Sequence, residues 1–132
     1  MATLSDDQRA FLRDNAYAGV LTTLRPDGSP HTTVVWIDED GGDIVFNTAR
    51  GRAKDVNLTR DGRASVLVLD PADQYKWVSV SGPVEMTEDG ADAQIDHLAK
   101  KYLGADEYPF RNAAETRVSV RLKPEKVSAS GF

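Results

Sequence analysis

Residues 19–37 read GVLTTLRPDGSPHTTVVWI, and this stretch decides the fold. Its first and last parts, residues 19–24 and 31–37, are rich in β-branched side chains, which favour extended strands. Between them stands Pro26-Asp27-Gly28-Ser29, whose residues suit a tight turn because proline fixes φ, aspartate bonds nearby backbone and glycine tolerates positive φ. The stretch therefore predicts an antiparallel β-hairpin.

Further strands are predicted on the C-terminal side of this hairpin. Residues 38–42 are acidic and glycine-rich and predict a turn, after which residues 43–48 predict a third strand that returns beside the second. Runs of apolar and β-branched residues predict later strands at 64–69, 75–86 and 117–122, the last extended by 126–129. Gly82-Pro83 predicts a bend at a barrel corner.

Three helices complete the prediction. Ser5 and Gln8 have the spacing of a capping box, which predicts a helix over about residues 5–15. Amphipathic spacing predicts two more helices at about 51–61 and 90–103. About six strands joined mostly by tight turns favour an antiparallel barrel over a parallel, doubly wound sheet, and no glycine-rich nucleotide-binding loop is present in the sequence.

The composition limits the kinds of function. The chain has 132 residues, of which 40% are hydrophobic, enough to bury the core of one domain, which we expect over residues 1–132. The net charge of −5 opposes nucleic-acid binding, and the lack of cysteine excludes disulfides, thiol catalysis and iron–sulfur ligation. The N-terminus lacks the pattern of a signal peptide and no apolar run reaches membrane-spanning length, so we expect a cytoplasmic protein with no membrane partner.

The segment most informative about chemistry is residues 46–54, which read FNTARGRAK. A predicted strand ends here, amide and hydroxyl side chains follow, and three cations gather where a helix begins. Helix N-terminal amides, a threonine hydroxyl, a guanidinium and an ammonium can together bind a phosphate monoester. The alternative is that Arg50, Arg52 and Lys54 form only a solvated helix face, and the local spacing leaves both interpretations open.

Few other side chains indicate chemistry. Trp36 and Trp77 each lie on a predicted strand, where the ring could stack on a planar ligand or fill a core or dimer contact. His31 begins the second strand and is a candidate ligand contact, whereas His97 falls within a predicted helix. Their separation gives no support to a metal pair or a histidine-centred triad. We therefore expect no metal site, and the sequence identifies no catalytic side chain.

Several motifs, taken in order along the chain, resemble those of a known family. They are GVLTTL at 19–24 with DGSPH at 27–31, FNT at 46–48 with RAK at 52–54, NL at 57–58 with RASV at 63–66, and YKWV at 75–78. A helix that contains IDHL at 95–98 and KYLG at 101–104 is followed by YP at 108–109. This order resembles the pyridoxamine-phosphate-oxidase-like superfamily, in particular its actinobacterial branch that uses the deazaflavin coenzyme F420.

The resemblance implies a mainly β fold, the antiparallel split β-barrel of flavin reductases, working as a homodimer whose two cofactor sites are built from both subunits. It implies that the cofactor phosphate and the edge of the ring are held by Asn47, Thr48, Arg52 and Lys54. It implies that the ring or ribityl chain is lined by His31, Val34 and Trp36, with Trp77 contributed by the partner subunit. The oxidases have adjacent arginine and lysine, whereas Ala53 separates the two cations here, as in the deazaflavin-using branch.

The implied activity is that of an oxidoreductase, in which the reduced deazaflavin gives a hydride to a conjugated small-molecule acceptor of the biliverdin, quinone or enone class. Residues 121–132 lack the basic, aromatic segment that holds the vitamin substrate in true pyridoxamine-phosphate oxidases, so that activity is not expected. Two alternatives stay open: an FMN-binding oxidoreductase, since FMN shares the ribityl phosphate and the tricyclic ring, and a non-catalytic F420 carrier. Heme binding would require His31 or His97 as axial ligand.

Overall fold

Eight β-strands and three α-helices make up the computed structural model, which describes residues 2–132. The helices are α1 (Asp6–Asp14), α2 (Ala53–Arg60) and α3 (Ala91–Leu103). The strands are β1 (Gly19–Leu24), β2 (Pro30–Val35), β3 (Asp38–Asp40), β4 (Asp43–Ala49), β5 (Arg63–Asp70), β6 (Asp73–Thr87), β7 (Arg117–Leu122) and β8 (Lys126–Ser130). The three predicted helices are confirmed. The strand count exceeds the predicted six because β3 and β8 are separate strands.

All strand pairings are antiparallel, and they follow the order β2-β1-β5-β6-β7-β4-β3, with β8 also paired to β6. The predicted hairpin is confirmed, since β1 pairs with β2 from Gly19 opposite Val35 to Leu24 opposite Pro30. β1 pairs on its other side with β5, and β5 pairs with β6. The result is the mainly β, antiparallel architecture of a split barrel, as predicted.

The predicted meander of three consecutive strands is wrong. β4 does not return beside β2 but pairs with β3 on one side and β7 on the other. Residues 38–42, predicted as a turn, divide into strand β3 and the turn Gly41-Gly42, whose φ angles are +60° and +90°. Ion pairing stabilises this acidic strand, because the buried Glu39 carboxylate accepts a hydrogen bond from Arg9 Nε at 2.7 Å. The chain therefore crosses to the other half of the barrel between β2 and β3.

Strand β6 joins the two halves of the barrel. Its first part pairs with β5 and β8, and from Val84 onward it pairs with β7. A Cβ atom added to Gly82 would lie 2.1 Å from the carbonyl oxygen of Lys123, far inside van der Waals contact. Gly82-Pro83, where a bend at a barrel corner was predicted, is where β6 changes its partner from β5 to β7, and the close approach of two backbones requires glycine at position 82.

The core is built from alternate residues of the strands. In β5, Ala64, Val66 and Val68 are buried, whereas Leu67 and Leu69 on the opposite face are 37% and 40% exposed. Inward-facing residues of the other strands complete the same core, against which α1 and α2 pack. The outward face of β5 therefore keeps an apolar surface that the core does not use.

The first helix begins as its sequence predicts. Ser5 Oγ accepts from the Gln8 N–H and Gln8 Oε1 accepts from the Ser5 N–H, so the predicted capping box is present. Phe11 and Leu12 of this helix are buried in the core. The longest helix, α3, has 13 residues, and within residues 2–132 no helix combines the length and apolar character needed to span a bilayer.

Candidate cofactor-binding site

A cavity of about 260 Å³ opens where the ends of β2, β4 and β7 meet the start of α2 and one side of α3. Its lining combines cations, an amide, aromatic rings and aliphatic side chains. The lining residues are Val34, Val35, Trp36, Asn47, Arg52, Lys54, Ile95, Leu98, Tyr108, Phe110 and Arg117. Five residues that the motifs implied therefore lie around one cavity: Val34, Trp36, Asn47, Arg52 and Lys54.

The turn between β4 and α2 is fixed by a buried carboxylate. Asp55 accepts from the Gly51 N–H and from Arg50 Nη1, each at 2.8 Å, and Arg50 also pairs with Glu88 at 3.0 Å. Gly51 adopts a φ of +88°, which glycine accepts without strain. Arg50 therefore forms ion pairs outside the cavity lining. Of the three cations in residues 46–54, Arg52 and Lys54 line the cavity and Arg50 does not.

Lys54 is a half-buried cation without a counter-charge among residues 2–132. Burial lowers the pKa of its ammonium, and the neighbouring Arg52 guanidinium lowers the pKa further. Within residues 2–132 no carboxylate lies within ion-pair distance of Lys54, although sixteen such contacts occur elsewhere in that range. A partly desolvated and unpaired ammonium favours an anionic ligand.

Two arginines of the cavity share one carboxylate. Arg52 Nη2 donates to Glu115 Oε1 at 2.9 Å, and Arg117 Nη2 lies 3.1 Å from Glu115 Oε2. The hydrogen bond from Arg52 lowers the pKa of Glu115, so this carboxyl stays ionised. The cluster thus contains the three cations Arg52, Lys54 and Arg117 and one carboxylate, and its local charge is positive although the chain is acidic.

Asn47 connects β4 to α3. Its Nδ2 donates to the Ala91 carbonyl at 2.9 Å and to Gln94 Oε1 at 2.8 Å, while its Oδ1 lies 3.4 Å from Arg117 Nη1. Both amide hydrogens are therefore used inside the protein. Asn47 holds α3 against the strands and faces the guanidinium, which makes it a positioning residue of the cavity wall.

Aromatic rings form part of the cavity wall. Trp36 stacks on Tyr102 with ring centroids 5.5 Å apart and an angle of 13°, and Tyr108 meets Trp36 edge-on at 6.2 Å. Phe110 continues this series, with its centroid 5.7 Å from that of Tyr108. The Arg117 guanidinium lies 4.8 Å from the Tyr108 centroid, in cation–π contact. These rings place an aromatic, apolar surface next to the cations.

Tyr102 anchors Trp36 from behind. Its hydroxyl donates to the Tyr17 carbonyl at 2.6 Å and accepts from the Ile37 N–H at 3.0 Å. Burial raises the pKa of Tyr102 to about 12. The neighbouring Lys101 ammonium donates to the carbonyl oxygens of Leu12 and Ile37 at 2.8 and 2.9 Å. The backbone around Trp36 is therefore held by several partly buried hydrogen bonds.

The remaining implied residues lie elsewhere. His31 is on the face of β2 opposite to Val34, and its Nδ1 is buried without a hydrogen-bond partner among the described residues. Thr48 is buried, likewise without a partner for Oγ1 in residues 2–132, on the face of β4 opposite to Asn47. Trp77 lies in β6, where it lines a different cavity of about 420 Å³ with Leu67 and Leu69. The structure of one chain does not bring these three residues to the first cavity.

Several residues of the cavity were not predicted as site residues. The spacing of Ile95 and Leu98 indicated only the apolar side of a helix. Tyr108 and Phe110 lie in an irregular loop, where no periodic pattern indicates a site. Arg117 read as the start of the last strand. One sequence signal was available, because a loop that carries two aromatic residues and ends in Glu115-Thr116-Arg117 combines groups that recognise planar and charged ligands.

Comparisons with known proteins give a consistent result. A family model described as pyridoxamine 5′-phosphate oxidase matches residues 4–131. The F420H(2)-dependent biliverdin reductase of Mycobacterium tuberculosis is 34% identical over 130 residues, covering 96% of this chain and 88% of that protein. A solved structure described as an F420 reductase has a TM-score of 0.78 and 28% identity, covering 90% of this chain and 94% of the other. A conserved hypothetical protein of Mycobacterium tuberculosis has a TM-score of 0.74 and 26% identity, with coverages of 96% and 84%.

The match extends over nearly the whole chain and includes both halves of the barrel. These relatives agree with the split-barrel fold and with the F420-dependent branch that the motifs predict. The chain belongs to the pyridoxamine 5′-phosphate oxidase family, in the branch that contains these F420-dependent relatives.

Proposed function

We propose that the cavity binds the deazaflavin coenzyme F420 and that the protein is a reductase, which uses it to reduce a conjugated small molecule of the biliverdin, quinone or enone class. The observation that carries this proposal is Lys54, a half-buried cation at the start of α2 that has no counter-charge in the described part of the chain and lies beside Arg52 and next to an aromatic wall. The names of two relatives, a biliverdin reductase and an F420 reductase, support the choice of coenzyme.

The chemistry of the donor set fits this coenzyme. Its phosphate would be held by Lys54, Arg52 and the first backbone amides of α2, which point along the helix axis toward the cavity end. Val34 and Trp36 would line the ring, and Asn47 would keep α3 and Arg117 in place. His31 and Thr48 lie outside the lining and are not assigned a contact.

The residues of the chain contribute binding, orientation and exclusion of water. When bound, the reduced deazaflavin supplies the hydride, so no side-chain nucleophile is needed. Lys54 and Arg52 fix one end of the ligand, and the Trp36 and Tyr108 rings restrict the planar part to one orientation. The apolar side chains of Val34, Ile95 and Leu98 keep water from the reacting face.

A second copy of the chain would complete the site. The cavity of about 260 Å³ is below the range of roughly 300–1,000 Å³ that ligand sites usually occupy. Val34 is 69% exposed, and a cross-strand row leads from it through Val20 to Leu67 on the outward face of the sheet. This row continues to the surface cavity beside Trp77. A homodimer that covers this face would bring Trp77 of the partner subunit toward the coenzyme.

The test is a titration of the purified protein with oxidised F420 and, in parallel, with FMN, followed by fluorescence. Reduced F420 is then mixed with biliverdin, a quinone or an enone, and coenzyme oxidation is recorded with and without protein. Preference for F420 together with protein-dependent oxidation supports the proposal. Preference for FMN would make the protein a flavin enzyme, F420 binding without oxidation would make it a carrier, and binding of neither would overturn the proposal.

A further inference from the structure

We propose that Arg117 is a carboxylate-recognition residue of the cavity, and that in the free protein Glu115 takes the place of a ligand carboxylate there. The inference rests on the proposed function for the placement of the ring, and it adds the chemical class of the ligand: a carboxylate distinct from the coenzyme phosphate. That carboxylate can come from a side chain of the acceptor or from the acidic tail of the coenzyme.

The first observation is the burial of a guanidinium that is only partly satisfied. The side chain of Arg117 is only 7% exposed, yet it lines the cavity, and its Nη2 has no hydrogen-bond partner among the described residues. Its Nη1 makes one long contact, 3.4 Å to Asn47 Oδ1. Burying a guanidinium without well-directed acceptors is costly, so this geometry favours a ligand that supplies them.

The second observation is the poor fit of Glu115 to Arg117. Glu115 Oε2 lies 3.1 Å from Arg117 Nη2, but the two atoms are not aligned for a hydrogen bond, and Oε2 has no partner in residues 2–132. The other oxygen of the same carboxylate is bound by Arg52 at 2.9 Å. One carboxylate therefore serves two guanidinium groups and satisfies only one of them.

The third observation is where each group is anchored. Arg117 begins β7, its backbone pairs with Ala49, and its guanidinium is held over the Tyr108 ring at 4.8 Å. Glu115 lies just outside β7, in the irregular segment between α3 and that strand. The Arg117 guanidinium is therefore fixed and planar, as bidentate recognition of a carboxylate requires, whereas Glu115 is on a segment without strand pairing.

The charge balance points the same way. Three cations line the cavity, and Glu115 is the carboxylate in contact with two of them. Lys54 and Arg52 face the proposed phosphate, which leaves Arg117 as the cation for a second anionic group. An incoming carboxylate that bonds Arg117 would release Glu115 to Arg52 alone, and the ligand would gain a charge-assisted pair of hydrogen bonds.

The experiment compares biliverdin, which carries two propionate carboxylates, with its dimethyl ester, which carries none. Binding of each to the protein is followed by quenching of tryptophan fluorescence, since Trp36 lines the cavity, and steady-state KM values with reduced F420 are measured in parallel. The variants are Arg117→Gln, Arg117→Lys and Glu115→Gln. The charge control is Arg63→Gln, because Arg63 is an exposed residue whose side chain pairs only with Asp61 among the described residues.

We expect Arg117→Gln to weaken binding of biliverdin by about tenfold or more and to leave the ester unchanged. Arg117→Lys should lose less affinity than Arg117→Gln, because lysine keeps the positive charge but lacks the paired donors of a guanidinium. Glu115→Gln should strengthen biliverdin binding about two- to fivefold, because it removes the competing carboxylate. Arg63→Gln should change neither ligand. Thermal unfolding of each variant checks that the barrel is intact.

A second arm distinguishes the source of the carboxylate. F420 with its glutamyl tail is compared with the deazaflavin phosphate that lacks the tail, on wild type and Arg117→Gln. If Arg117→Gln loses affinity for biliverdin but not for its ester, the carboxylate comes from the acceptor. If it loses affinity for the tailed coenzyme but not for the tailless one, the carboxylate comes from the tail. Either result supports the inference. The inference would be overturned if Arg117→Gln changed the affinity for biliverdin and its ester equally and also changed the affinity for tailed and tailless coenzyme equally. Weaker binding of biliverdin by Glu115→Gln would overturn it as well. Failure of F420 oxidation with every acceptor would refute the proposed function alone, because the binding comparison does not require turnover.

Discussion

Replacing Lys54 with methionine tests the assignment of the phosphate site most directly. The substitution keeps the length and apolar stem of the side chain and removes a half-buried ammonium that has no counter-charge in residues 2–132. A charge-assisted hydrogen bond to the coenzyme contributes about 1.5–3 kcal/mol, so the dissociation constant of F420 should rise about 10- to 150-fold. Arg52→Met should have a smaller effect, because Arg52 already pairs with Glu115, and this carboxylate offsets part of its charge.

The same substitution should act in the opposite direction on folding. In the free protein the Lys54 ammonium is disfavoured by burial and by the Arg52 charge, and both lower its pKa below the ordinary 10.5. The unfolded chain therefore binds this proton more tightly than the folded chain, and wild-type stability rises with pH as the pH approaches 10.5 from below. Lys54→Met should equal or exceed wild-type stability at neutral pH, and this advantage should fade in alkaline solution.

The assay is a fluorescence titration with F420 and with a phosphate-free deazaflavin, together with urea unfolding at neutral and alkaline pH. Lys54→Met should weaken binding of the coenzyme and not of the phosphate-free analogue. Lys100→Met is the matched control, since Lys100 is an exposed lysine of α3 outside the cavity lining, and it should change neither affinity. An unchanged F420 affinity in Lys54→Met, or an equal loss for both ligands, would refute the phosphate assignment.

Three further substitutions test the scaffold around the site. Gly82→Ala should lower the free energy of unfolding by about 3 kcal/mol in urea denaturation, because the new methyl group would overlap the Lys123 carbonyl. Tyr102→Phe keeps the ring and leaves the Ile37 N–H without its hydroxyl acceptor, so the free energy of unfolding should fall by about 1–3 kcal/mol in urea denaturation. The substitution also removes the phenol whose pKa burial raises to about 12. Leu67→Glu should disrupt the proposed homodimer and give a monomer in size-exclusion chromatography with light scattering, and a dimer that persists in this variant would reject the proposed dimer face.

Local sequence patterns predicted correctly the features that depend on contacts between neighbouring residues. The capping box of Ser5 and Gln8 needs only contacts three residues apart, and it forms as predicted. The hairpin of β1 and β2 is likewise set by its own turn, in which the Asp27 side chain accepts from the Ser29 N–H at 3.0 Å. Gly82 stands where β6 changes its partner, and the reason for glycine, the nearby Lys123 carbonyl, lies far along the chain.

The partner of β4 was mispredicted because distant charges stabilise β3. A run of Asp38, Glu39 and Asp40 has low β propensity, which favours a turn when it is considered alone. In the structure Arg9 pairs with the buried Glu39, and Arg121 of β7 pairs with Asp40 across the sheet. The strand therefore forms from contacts that span the chain, and no local pattern contains that information.

The cavity shows the same division between local and distant information. The segment from Asn47 to Lys54 was identified from its composition, yet the residues that give the site its charge pattern, Glu115 and Arg117, come more than sixty positions later. The packing of the loop after α3 brings them beside Arg52. The sequence predicted two of the cations that line the cavity, and only the folded chain shows that one of them shares its carboxylate with a third, buried guanidinium.

Net charge is therefore a poor guide to what this site attracts. The net charge of the chain is −5. Acidic side chains form ion pairs with arginines elsewhere, as Asp55 does with Arg50, whereas three cations line the cavity and share one carboxylate. Because Lys54 and Arg117 are partly or wholly buried, salt screens their attraction for an anion less than it screens exposed charges. Binding of a phosphate- and carboxylate-bearing ligand should then weaken only slightly between low and physiological salt. A steep loss of affinity over that range would place the anion contacts on the exposed surface instead of in this cavity.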